Sequence, residues 1–121
     1  MQNIHILINI IGQVLFGGYF FWNGIKHFKD HKSYTMYAQA MGVPFASIMV
    51  YFSGLLIFLG GLGIIFNIQK TISLILILGF LVPVTYKMHQ FWKKENPAEK
   101  NSEMIAFLKN VALIGAVLLM M

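Results

Sequence analysis

Hydrophobic positions along this chain fall into four long runs nearly free of charge, not into the one-sided stripe of a helix on a soluble domain. The first extends from about Ile4 to Ile25 and holds no Asp, Glu, Lys or Arg. At ~1.5 Å per residue, a helix of that length covers a hydrocarbon core of ~30 Å. The second spans roughly Phe45 to Ile68, the third Thr71 to about Gln90, and the fourth Met104 to Met121. The pattern predicts an all-α fold, an integral membrane four-helix bundle. It is read as a single membrane domain over 1–121, with helices at about 4–25, 45–68, 71–90 and 104–121.

The connections are short. Between the first two runs, Tyr34, Tyr37 and Met41 recur at helical spacing, which predicts a short amphipathic turn over Ser33 to Gly42 in the membrane interface. Pro44 suits the first turn of the next helix. Asn67 to Lys70 has room only for a tight reversal, and Pro83 is expected to bend the third helix. The polar stretch 93–103 reads as a loop. Within it, Asn96-Pro97-Ala98-Glu99 has the order of an N-cap, a proline at N1 and an acid at N3. Gly17 and Gly24 share one helix face, as do Gly54 and Gly61, which predicts a close packing seam.

Composition agrees with the pattern: 58% of the 121 residues are hydrophobic and 11% charged, and the mean hydropathy is +0.71. A soluble domain of this size has too much surface to hide so many apolar side chains. The net charge of +5 comes from nine basic residues, every one a lysine. Lys26, Lys29 and Lys32 lie in the first loop, and Lys87, Lys93, Lys94 and Lys100 lie around the third, against Lys70 alone in the second. This bias predicts that loops 26–44 and 87–104 are cytoplasmic and that both termini are outside. Lysines confined to loops suit anionic lipid, and no basic stripe suggests nucleic acid. The absence of cysteine excludes disulfides and thiolate chemistry within this chain. The first run lacks a basic n-region and is long enough to span, so it reads as a mature helix.

Candidate chemistry gathers at the lysine-rich end. Tyr19, Asn23, Lys26 and His27 share a face of the first helix. His27 and His89 each stand at a helix exit among lysines and aromatic residues, the second beside Trp92. Lys109 and Asn110 lie inside the fourth run, where a lysine snorkels or finds a partner. Together these residues predict a small polar pocket for a quinone headgroup or another small anionic or carbonyl ligand. Bis-histidine haem is the weaker reading, because both histidines sit near the water boundary and no second pair exists. The chain carries no nucleophile–base set and no metal-ligand spacing, and its four acids lie in polar stretches.

Several segments resemble the DoxX family, in the order expected. They are Phe20-Phe21-Trp22-Asn23-Gly24-Ile25-Lys26-His27-Phe28, Met41-Gly42-Val43-Pro44, Ser53-Gly54 through Gly60-Gly61, His89-Gln90-Phe91-Trp92, and Phe107-Leu108-Lys109-Asn110 with Gly115. The resemblance implies a four-helix prokaryotic inner-membrane protein. Members are associated with terminal quinol oxidase, thiosulfate:quinone oxidoreductase and redox-stress complexes. It therefore implies an accessory or quinone-interacting subunit, with catalysis in a redox partner. The alternative is a small membrane scaffold or a lipid- or small-molecule-binding protein with no redox role. The glycine faces also leave a homo-oligomer open. Two departures stand out: the cysteines of disulfide-handling relatives are absent, and Met49-Val50-Tyr51-Phe52-Ser53 lacks the acid that many members carry ahead of the glycines.

Overall fold

The computed structural model describes residues 2–121 and is all-α. Five helices follow in order: α1 (Gln2–Lys29), α2 (His31–Ala40), α3 (Ala46–Ile65), α4 (Lys70–Met88) and α5 (Pro97–Met120), with a 3₁₀ turn at Phe91–Lys93 before the last. Four of them, α1, α3, α4 and α5, are long and apolar enough to cross a membrane. The chain reverses at each connection, so the loops after α1 and after α4 share one end of the bundle, here termed the lysine-rich end. The α3–α4 turn and both chain ends lie at the other.

The helix limits differ from those read off the runs, for local reasons. α1 continues past Ile25 to Lys29, and its last turn holds Lys26, His27 and Lys29, cations that suit the negative end of the helix dipole. The segment read as an interfacial turn is a ten-residue helix, α2. It ends in a Schellman motif: Gly42 takes φ +79°, with Val43 N–H bonded to the Ala38 carbonyl and Gly42 N–H to that of Gln39, both at 3.0 Å. Pro44 stands outside α3, not in its first turn, because Phe45 is left-handed at φ 51° and the helix starts only at Ala46. A second such motif stops α3 at Ile65 rather than Ile68. Ile68 N–H reaches the Gly63 carbonyl at 2.8 Å and Asn67 N–H that of Ile64 at 3.3 Å. α4 stops at Met88, before His89 and Gln90. The chain then folds back so that Phe91 and Trp92 pack edge-on against Phe107, at ring distances of 5.4 and 5.8 Å. α5 begins at Pro97 rather than Met104, since the Asn96 side chain accepts from Ala98 N–H at 2.9 Å and from Glu99 N–H at 3.3 Å. Most of the expected polar loop is thus the first turns of a helix.

Packing follows the order α1–α3–α4–α5, with α2 against the start of α3. The seam between α1 and α3 is made of glycine. A Cβ built on Gly17 would stand 2.7 Å from the Gly61 carbonyl oxygen, and one on Gly24 would stand 2.8 Å from Phe58 N. Lipid is as apolar as a leucine side chain, so close backbone approach and dispersion hold such helices together. Beside this seam lies a core of Phe20, Ile57, Ile64, Leu74, Ile77, Leu81 and Val117. Ile6, Leu15, Ile48, Ile75, Val82, Leu108 and Leu119 point outward and form the lipid-facing surface.

Candidate functional site

A cavity of about 400 Å³ opens at the lysine-rich end, walled by all five helices. Six of the eight residues singled out in the sequence line it: Tyr19, Asn23, His27, His89, Lys109 and Asn110. Lys26 does not; it borders a separate shallow depression with Asp30 and Ser33. Nor does Trp92, which packs on Phe91, Phe107 and Tyr86. Apolar side chains make up most of the wall, among them Phe80, Val50 and Leu113. The polar groups are therefore few and their placement decides what fits.

On α1 the polar stripe is tied to its own helix. Asn23 Nδ2 donates to the Tyr19 carbonyl at 2.7 Å, not to a neighbouring helix. His27 Nδ1 lies 2.7 Å from the Asn23 carbonyl, and the ring is buried. It stacks on Tyr34 at 4.6 Å and meets the Phe80 ring edge-on at 5.7 Å. These two aromatic neighbours fix the plane of the imidazole.

Lys109 and Asn110 enter from α5. That helix starts at Pro97, so they lie ~18 Å along it at ~1.5 Å per residue, beyond polar first turns. Lys109 Nζ donates to the Tyr19 hydroxyl at 3.1 Å, bridging α5 to α1. Asn110 is only 5% exposed and lines the cavity; the one buried side-chain polar atom without a hydrogen bond among the described residues is Thr85 Oγ1 on α4.

At the mouth, one carboxylate gathers two elements. Glu103 Oε1 accepts from the Tyr37 hydroxyl at 2.8 Å, and its Oε2 lies 2.9 Å from His89 Nδ1. Burial, and then the hydrogen bond to Glu103 and its charge, push the Tyr37 phenol well above its ordinary value. Tyr34 is raised too, by burial and then by the Asp30 charge. Sequence reasoning missed Tyr34, Tyr37 and Glu103. The available signal was that Glu103, Asn110 and Val117 recur at intervals of seven, on one face of α5. His31 also has a defined place: it stacks on Tyr51 at 3.7 Å, and its Nε2 lies 2.9 Å from the Ser47 carbonyl, which joins α2 to α3.

Four membrane-length helices around a largely apolar, sparsely polar cavity define a multi-pass α-helical membrane protein with a ligand-sized chamber at one end. The chain matches the DoxX family model over residues 9–90, more than half of its length, and it belongs to the DoxX family. The match takes in α4 but ends before α5, so Glu103, Lys109 and Asn110 lie outside it. No curated protein and no solved structure is detectably similar to the chain.

Proposed function

We propose that this protein holds the head of a quinone-class amphiphile in the chamber at its lysine-rich end, as an accessory subunit of a membrane redox system whose catalysis lies in a partner. The observation that carries this reading is Asn110, which sets an amide on the wall of a cavity otherwise mostly apolar. That amide can donate to and accept from a ligand oxygen or hydroxyl in the chamber. The aromatic cluster of His27, Tyr34 and Phe80 gives a flat ring something to pack on. The lysine bias of the loops supports a cytoplasmic location for that end, in the inner membrane.

Organic extraction of the purified, detergent-solubilised protein, followed by chromatography, tests the reading. Quinone is expected to co-extract well above a detergent blank carried through the same membranes. A quinone-free preparation that also fails to bind added short-tail quinone would overturn it. The second reading, a lipid-binding protein without redox role, is favoured by Lys87 and Lys109 on a wall that includes no acidic side chain. Phospholipid or fatty acid in the same extract, in place of quinone, would establish that reading instead.

A further inference from the structure

The glycine faces that leave a homo-oligomer open in the sequence are used up inside the bundle. Cβ atoms built on Gly17, Gly24, Gly54 and Gly61 would each stand 2.5–2.8 Å from a neighbouring helix. Any contact between copies must lie elsewhere, and one stretch of α1 is left without neighbours. The Gly17 Cβ would stand 3.0 Å from the backbone N of Ile65, the last residue of α3. The turns of α1 before Gly17 therefore run on past the end of α3. Ile10 lies seven residues before Gly17, on the same face, yet it is 50% exposed. Every residue from Gln2 to Gly12 is exposed, so no face of this three-turn arm is packed on the described part of the bundle.

Lipid suits the aliphatic side chains of the arm but not its polar ones. His5, Asn9 and Gln13 recur every four residues and share a face, with Gly12 alongside. The Asn23 amide is tied to its own helix, whereas Asn9 and Gln13 hydrogen-bond to no described residue. Within an apolar run, an amide finds its partner on a neighbouring helix, because lipid tails have none to offer. Gly12 would have nothing within 4 Å of a Cβ, so a second helix can approach closely there.

We infer that this arm is a contact surface for a second copy of the chain, paired α1 to α1 about a two-fold axis. An amide both donates and accepts, so two identical faces complement each other. Across a two-fold axis Asn9 meets the same position of the other copy, and both amides are satisfied. No Asp, Glu, Lys or Arg lies between Gln2 and Ile25, so the pairing sets no like charges together. Two copies inserted in the same orientation present their α1 helices in parallel, as this pairing requires. The contact lies at the opposite end of α1 from His27, and it holds whatever the chamber binds.

The absence of cysteine makes the pairing readable by cross-linking. Full-length Gly12→Cys, oxidised with copper phenanthroline in native membranes, is expected to give a disulfide-linked species of twice the chain mass. Ile75→Cys, on the lipid-facing side of α4, is expected to give at least fivefold less. Adding Asn9→Leu and Gln13→Leu to Gly12→Cys should lower the cross-linked fraction at least fivefold, with the melting temperature in detergent unchanged. Cross-linking of Gly12→Cys no stronger than that of Ile75→Cys would overturn the inference. A fraction that the two leucines leave unaltered would overturn the role given to the amides. If the leucine variant melts lower, the comparison of Gly12→Cys with Ile75→Cys still decides. Adducts of Gly12→Cys with other proteins, in place of the doubled mass, would assign the arm to a different partner and overturn the pairing.

Discussion

Asn110 can be tested for stability and for binding separately. It occupies a buried position on the helix face that also carries Val117, with its amide on the chamber wall. Asn110→Leu should leave the thermal midpoint in detergent about equal, because the amide makes no hydrogen bond to the described residues that the change would break. The same change should weaken ligand binding about tenfold, a difference of ~1.4 kcal/mol. A residue needed only for packing would move both readouts together. Tyr37 is tested by pH. Its folded-state value lies above the ordinary 10.0, so its contribution is intact below that pH and is lost as pH rises through the higher value. An ultraviolet titration of the wild-type protein against Tyr37→Phe should show the missing phenol ionising later than an ordinary tyrosine. Of this chemistry, the sequence made legible the residues whose polarity is out of place in an apolar run, Asn23, Lys109 and Asn110. Glu103 looks like one more acid in a polar stretch unless its seven-residue spacing to Asn110 and Val117 is noticed, and its partners are hidden even then. Its partners are His89, fourteen positions away, and Tyr37, sixty-six positions away, and only the fold brings them together.

Among the elements, the glycine seam predicts a sharp contrast between positions. A Cβ at Gly61 would come within 2.5 Å of Phe21 N and 2.6 Å of the Gly17 carbonyl oxygen, whereas one at Gly115 meets nothing within 4 Å. Both obstacles at Gly61 are backbone, so the helices themselves must separate. Gly61→Leu is expected to lower stability by about 3 kcal/mol or more, and Gly115→Ala to leave it unchanged, as read by thermal melts in detergent. The seam itself was visible as two pairs of glycines at heptad spacing, because that pattern depends on one helix at a time. Helix limits were less visible, since they are set by capping contacts. Asn67 and Gly42 close α3 and α2 through left-handed turns; the start of α5, well before its apolar run, was marked by the cap order Asn96-Pro97-Ala98-Glu99. A hydropathy run marks where lipid would touch a helix, and α5 extends beyond it at the polar end.

For the whole molecule, orientation is the open geometric property that experiment reaches most directly. The chain has no cysteine, so each introduced cysteine is the sole target for a membrane-impermeant maleimide. Lys32→Cys and Lys94→Cys should be shielded in right-side-out vesicles and labelled once these are permeabilised. Lys70→Cys should be labelled in both, as the lysine bias requires. The reverse result would put the chamber's mouth on the outer face. Assembly of the chamber is set by chain order. The helices neighbour one another as α1–α3–α4–α5, and α5 supplies Glu103, Lys109 and Asn110 while meeting α1 through the Lys109–Tyr19 bond. During synthesis, α1, α2, α3 and α4 therefore emerge and can close their glycine seam while the chamber still lacks one wall. Docking of α5 is the event that encloses it, so a membrane-borne occupant can be taken up sideways as the last helix arrives, without a later opening of the finished bundle.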